Sequence, residues 1–152
     1  MLEPGTIAPP FELPDQNGET VSLSALLGRN NVVLFFYPKD NTMVCTLEVC
    51  AFRDAHDELL EEDAVVLGIS SDPVDSHLHF AERWKLPYRL LADKDSAVRK
   101  AYDIPKTFGL FPGRVTYVID KEGMIRSAVN DPLRASHHVR MALRSLKAQR
   151  TS

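Results

Sequence analysis

The stretch from Val32 to Asp54, VVLFFYPKDNTMVCTLEVCAFRD, constrains the fold more than any other part of the chain. Val32–Tyr37 is continuously apolar, β-branched or aromatic, and of strand length, the pattern of a central strand covered on both faces. Pro38 lacks an N–H and ends the ladder. A helix then starts near Thr42, and its apolar face runs through Val49, Phe52, Leu59 and Leu60, with Arg53, Asp54, Asp57 and Glu58 elsewhere. Glu61, Glu62 and Asp63 close it, placing negative charge where the helix dipole is also negative.

The remaining chain falls into elements that suit such a strand. Residues 1–20 read as an extended lead-in and a hairpin turning at Gln16-Asn17-Gly18. Ser22 to Gly28 is a short helical turn ended by glycine. Ala64–Ser70 is a second doubly buried strand, and Ser71-Asp72-Pro73 opens a helix to about Lys85. Pro87 to Leu91 is a short strand and Ser96–Tyr102 a short helix. Ile104–Gly113, with two prolines and two glycines, is a loop. Val115–Asp120 and Met124–Val129 flank Lys121-Glu122-Gly123 as a hairpin. Asn130-Asp131-Pro132 opens a last helix with Val139, Ala142, Leu143 and Leu146 on its apolar face. Strands alternating with helices, then a hairpin and a terminal helix, predict a three-layer α/β/α fold with a central mixed sheet. This order fits a thioredoxin-like fold with an N-terminal β extension, and 152 residues suit a single domain over 1–152.

Composition narrows the functions open to such a fold. Net charge is −3 and no long basic run occurs, which argues against nucleic acid or an anionic membrane surface as a partner. The longest apolar runs, Val32–Tyr37 and Ala64–Ile69, are far too short to cross a bilayer. The first residues, MLEPGTIAPPFELPDQNG, lack the basic start and apolar segment of a secretory signal, so a cytoplasmic location is expected. Cys45 and Cys50 are the only cysteines, and in that compartment a cysteine pair suits transient redox chemistry better than a structural staple. No CxxC is present, and the adjacent His137 and His138 point in different directions on a helix. Neither a metal site nor a cofactor is expected.

The chemistry concentrates at the helix start. The spacing Pro38-x-x-x-Thr42-x-x-Cys45 makes Thr42 the N-cap and puts Cys45 at the third helical position. A thiol there meets unpaired N–H groups and the positive end of the dipole, which favour the nucleophilic thiolate. The Thr42 hydroxyl can bond the sulfur or an oxygen held beside it, and Pro38 can wall the pocket. Arg114, at the head of the strand after the long loop, is the candidate for a permanent positive charge. Glu48 can support the helix start through its dipole. Trp84 reads as a core or half-buried aromatic, and His137 and His138 as solvated positions.

FYPKDNTMVCTLEVCAFRD resembles the active-site stretch of the peroxiredoxins, specifically the Q type, also called bacterioferritin comigratory proteins. APPFELPDQNGETVSLSALLGRNNVVLFFYPKD and GRVTYVIDKEGMI are similar to that family too, so the likeness covers roughly residues 5 to 130. The resemblance implies that Pro38, Thr42 and Arg114 are active-site residues, that Cys45 is the peroxidatic and Cys50 the resolving cysteine, and that Glu48 and Arg53 are further polar positions of the helix. Met43-Val44 departs from the family's usual Pro-Gly, which bears on pocket shape.

The family cycle is a thiolate attack on hydrogen peroxide or an organic hydroperoxide, a Cys45 sulfenic acid, a Cys45–Cys50 disulfide, and reduction by thioredoxin or a similar dithiol. A monomer or weak dimer is expected. On an ideal helix the two Cα atoms stand roughly 8.6 Å apart, from a rise of about 7.5 Å and a rotation of about 140°. A disulfide needs less than about 7 Å, so the helix start must unwind. Two other readings share these residues. One is a thiol redox sensor or binding module; the other is a protein dithiol-disulfide oxidoreductase, which normally uses CxxC.

Overall fold

The computed structural model describes residues 1–107 and 111–151. Its elements are β1 (Glu12–Pro14), β2 (Thr20–Ser22), α1 (Leu23–Leu26), β3 (Asn31–Phe36), α2 (Met43–Asp54), α3 (His56–Glu61), β4 (Ala64–Ser70) and α4 (Val74–Trp84). They continue with β5 (Arg89–Ala92), α5 (Ala97–Ala101), β6 (Lys106–Thr107), β7 (Phe111–Pro112), β8 (Val115–Ile119), β9 (Ile125–Asn130) and α6 (Ala135–Thr151). The central sheet runs β5-β4-β3-β8-β9. β3, β4 and β5 are parallel, while β8 is antiparallel to both β3 and β9. The sheet is therefore mixed, with β3 at its centre.

Period-two alternation along β3 divides the core. Val32, Leu34 and Phe36 face one side, against Phe11, Val21 and Leu23 of the N-terminal hairpin region and Val98 and Tyr102 around α5. Val33, Phe35 and Tyr37 face the other, against Cys45, Val49 and Phe52 of α2, Leu59 of α3, Phe80 of α4, and Ala142 and Leu146 of α6. Every residue of β3 is buried, as a strand between two helical layers must be. β1 and β2 form the expected hairpin, and Ile7 bridges Met124 to tie the extension to the sheet edge.

Two features fix α2 over the sheet. Phe35 stacks on Phe52 at a centroid separation of 4.6 Å. Opposite Phe35 in the register lies Gly68, where a Cβ would stand 2.7 Å from Phe35 Cζ and 2.9 Å from Leu90 Cδ2. Glycine in β4 is thus the space into which Phe35, and through it α2, is seated.

The single long helix expected from Thr42 to Asp63 is two. Ala55 leaves helical geometry (φ −95°, ψ 2°) and separates α2 from α3. After the bend Leu59 is fully buried but Leu60 is 50% exposed, so Leu60 does not belong to the apolar face. α6 starts at Ala135 rather than at Asn130-Asp131-Pro132, because the Asp131 carboxylate captures the Leu133 and Arg134 amides in a turn first. Within the loop expected over Ile104–Gly113, β6 pairs with β7, and residues 108–110 lie outside the described residues. Among the described residues no helix is long and apolar enough to cross a membrane.

Candidate active site

Thr42 takes the extended N-cap conformation (φ −89°, ψ 157°), so Cys45 occupies the third position of α2. Its thiol is free and fully buried against Val49, Phe35 and Tyr37, beside the first-turn amides that have no intrahelical acceptor. The Thr42 hydroxyl donates to the Lys39 carbonyl at 3.1 Å, tightening the turn before the helix. Pro38 is half-buried at the end of β3, where the ladder stops.

Arg114 reaches this sulfur through strand register. β3 and β8 pair Phe36 with Val115, so one step further Arg114 comes opposite Tyr37, beside the loop that carries Cys45. Its Nη1 donates to Cys45 Sγ at 3.3 Å and its Nε to the Pro132 carbonyl at 3.3 Å. At 6% exposure the guanidinium is largely shielded from water, which strengthens its field at the sulfur.

Behind Arg114 lies Glu48, one helical turn after Cys45 and fully buried. Glu48 Oε1 is 3.8 Å from the same Nη1, and Oε2 is 3.6 Å from His138 Nε2. Neither approach is a hydrogen bond, and both carboxyl oxygens lack a hydrogen-bond partner. Burial pushes the Glu48 carboxyl up to about 8, Arg114 opposes the rise, and Asp131 adds to it. At neutral pH the group is therefore a neutral acid rather than half of an ion pair, despite the nearby guanidinium. The dipole-supporting role expected for Glu48 needs a negative charge that the site withholds.

His138 corrects the expectation of a solvated position. It is fully buried, its Nε2 faces the Asp131 carbonyl at 2.8 Å, and its Nδ1 faces Thr116 Oγ1 at 2.7 Å. The carbonyl can only accept, so Nε2 carries hydrogen and the Thr116 hydroxyl donates to Nδ1. Burial lowers the imidazole pKa, and the hydrogen bond and charge at Asp131 resist it. His137 is partly buried as well, with Nδ1 2.8 Å from the Asp131 carboxylate. Burial pushes Asp131 up, but the Arg134 and Leu133 amides and the His137 and Arg134 side chains outweigh it and hold the carboxyl well below the usual range. The missed signal for His138 was helix periodicity, since it precedes Ala142 and Leu146 by four and eight residues on the buried stripe.

A polar network holds the loop before Cys45. The Asp40 carboxylate accepts from Tyr37 at 2.6 Å and Ser76 at 2.8 Å, and its Oδ2 lies 2.7 Å from His77 Nδ1. The Asp40 amide donates to Asp72, and His77 Nε2 faces the Leu91 carbonyl. Asp40, Asp72 and His77 also stand close enough together to hold a metal ion, but their atoms are engaged with one another and with Ser70, Ser76 and Tyr37. The arrangement latches the loop to α4. Asn41 follows at φ 64°, a left-handed turn that leads into Thr42.

Cys50 is half-buried on the same unbroken helix and packs against the core cluster on that face of the sheet, as does Trp84, which is itself half-buried as expected. Burial raises the Cys50 pKa, Arg53 opposes the rise and Asp54 adds to it, so this thiol stays protonated at neutral pH. Arg53 lies outside the Cys45 pocket. It donates to Asp54 and to the Trp84 carbonyl.

Comparison with known proteins places this geometry. The AhpC/TSA family profile matches residues 4–128. Chloroplastic peroxiredoxin Q of Sedum lineare is 43% identical over 145 residues, which cover 95% of this chain and 77% of that protein. The Arabidopsis thaliana peroxiredoxin Q, also chloroplastic, is 46% identical over 145 residues, covering 95% and 67%. The crystal structure of Peroxidoxin BcpB from Mycobacterium tuberculosis superposes with a TM-score of 0.90 at 36% identity, covering 97% of this chain and 98% of that one. A Xanthomonas campestris bacterioferritin comigratory protein, solved as trapped intermediate and ligand complexes bearing on alkyl peroxide reduction, gives 0.83 at 30% identity over 91% of each chain. The three layers are thus the thioredoxin-like fold of these proteins. Since the profile spans residues 4–128, the Cys45 helix among them, and these relatives are over 40% identical across 95% of the chain, the protein belongs to the AhpC/TSA family, on its peroxiredoxin Q side, and is a peroxidase.

Proposed function

We propose that this peroxidase reduces hydrogen peroxide and organic hydroperoxides at Cys45 by an atypical two-cysteine cycle. The observation that carries the reading is the buried Cys45 Sγ at a helix start with Arg114 Nη1 3.3 Å away. The Cys45 thiolate attacks the terminal peroxide oxygen, an S–O bond forms as O–O breaks, and sulfur loses two electrons. The departing hydroxide or alkoxide takes a proton and leaves as water or alcohol. Arg114 stabilises charge building on the leaving oxygen, Pro38 shields the pocket, and the Thr42 hydroxyl can turn from Lys39 to a bound peroxide. Glu48, kept neutral, leaves the Arg114 charge to the sulfur.

Cys50 then attacks the sulfenic sulfur, expels water and closes a disulfide. A dithiol such as thioredoxin reduces it. Anchors on either side of the helix start favour unwinding between them. The latch holds the chain at Asp40, and the far half of α2 is held by Phe52 on Phe35, by Tyr88 donating to the Val49 carbonyl, and by Arg53 on Trp84. Between them Met43 is 81% and Leu47 57% exposed, and Cys45 and Glu48 are the fully buried side chains that opening must release. We assign the chain to one domain acting as a monomer or weak dimer. A cysteine pair used for transient redox chemistry suits a reducing compartment, and we assign the chain to the cytoplasm.

Stopped-flow Trp84 fluorescence on reduced protein mixed with hydrogen peroxide tests the cycle. The signal should vanish in Cys45→Ser, and Cys50→Ser should accumulate a trappable sulfenic acid in place of the disulfide detected by mass. A wild-type rate no faster than that of a free thiol would reject rapid peroxide chemistry at Cys45 and favour a redox sensor.

A further inference from the structure

We propose that Arg99 is a positioning residue for peroxide reduction, a bridge that sets the placement of Arg114 against Cys45. The claim rests on the peroxidase reading above. Arg99 lies in α5, whose start is fastened to the end of β5 by the Asp93 carboxylate accepting from the Val98 and Arg99 amides at 3.2 and 2.9 Å. From there the guanidinium donates through Nη2 to the Tyr37 carbonyl at 2.7 Å and through Nη1 to the Gly113 carbonyl at 3.0 Å. Its central carbon sits 5.8 Å from the Phe36 ring centroid.

The two carbonyls are the residues immediately before Pro38 and Arg114. One leads into the loop before α2 and Cys45, and the other joins directly to Arg114, whose guanidinium bonds the Cys45 sulfur. Both lie just past the last pair of the β3–β8 ladder, Phe36 with Val115, where the strands no longer hold each other. Arg99 closes the ladder there with a rigid fork of donors, a task that suits a guanidinium and that a lysine ammonium cannot reproduce with the same geometry. The Gly113 end is tightly placed, since a Cβ there would lie 1.8 Å from the Pro105 carbonyl oxygen. Arg99 also senses the site electrostatically. Burial lowers its pKa, Asp93 and Cys45 oppose the change, and Arg114 adds to it.

A residue acting through Arg114 must lose its effect when Arg114 is gone. The test is a double-mutant cycle of Arg99→Met and Arg114→Met, with Arg99→Lys alongside, read as the second-order rate with hydrogen peroxide and with thermal stability followed in parallel. Arg99→Met should slow the reaction by at least about tenfold, up to about 10²-fold if the guanidinium–sulfur distance shifts by about 1 Å. Arg99→Lys, which keeps the charge but not the fork, should be nearly as slow. Arg99→Met should add less than about twofold in the Arg114→Met background. Equal losses in both backgrounds, or a wild-type rate in Arg99→Lys, would overturn the proposal. If wild type itself does not react with peroxide, the peroxidase reading falls separately. The same cycle read by iodoacetamide labelling of Cys45 in a Cys50→Ser protein then decides the bridge, and absence of coupling overturns it.

Discussion

Glu48→Gln should make the protein more stable in alkaline solution, although it removes a residue from the heart of the site. Glu48 is fully buried, neither carboxyl oxygen has a hydrogen-bond partner, and burial moves its pKa from the ordinary 4.5 to about 8. Below pH 4.5 the carboxyl is protonated in the folded and unfolded chains alike. As pH rises towards 8 the unfolded chain sheds this proton while the folded chain keeps it, so stability falls with pH. Above 8 both forms are ionised and the loss is complete. Between 4.5 and about 8 the loss amounts to roughly 5 kcal/mol, an order-of-magnitude figure.

Glutamine keeps the shape and cannot ionise. Urea unfolding of reduced wild type and Glu48→Gln at about pH 5 and about pH 9 should therefore show the variant gaining roughly 4 kcal/mol on wild type between the two conditions. Shifts at Asp131, Asp120 and His138 are common to both proteins and cancel in the difference. Activity gives a second reading of the same proton. An ionised Glu48 would draw on the Arg114 Nη1 that bonds Cys45, so the wild-type peroxide rate should decline above about pH 8 relative to Glu48→Gln. Stability differences that stay constant from pH 5 to pH 9 would refute a protonated Glu48.

Three further perturbations probe what holds the site. Gly68→Ala should cost about 1–3 kcal/mol in urea unfolding, because its Cβ would press on Phe35 and Leu90 and push Phe35 into Phe52. Asp40→Ala removes the acceptor shared by Tyr37, Ser76 and His77 and should cost about 3 kcal/mol or more, with a slower peroxide reaction as the loop loosens. Amide exchange in residues 42–50 should quicken on oxidation while the β3 amides stay protected, and equal protection in both redox states would exclude unwinding of the helix start.

The parts of the site legible in the sequence are those carried by one continuous stretch. Val32–Tyr37, Pro38, Thr42 and Cys45 follow from local rules, a buried strand, a residue that cannot extend it and a helix cap, and the structure places each where those rules put it. Arg114 was legible as a charge at the head of a strand, but its partner was not, since only the β3–β8 register brings residues 45 and 114 together. Glu48 was legible as an acid near a helix start and misread as a charge, because its ionisation depends on burial by elements distant in sequence. His138 shows the same limit in a helix that was itself correctly expected. Weighting histidine as polar put it outside, whereas its place four residues before Ala142 put it inside, and Thr116 and the Asp131 carbonyl satisfy it there. Arg99 had no local signal at all, because its partners are two backbone carbonyls, at 37 and 113, and carbonyls leave no mark in a sequence. Motifs therefore disclose the reacting sulfur, and the groups that govern its surroundings become visible only when strand register and helix packing set them beside it.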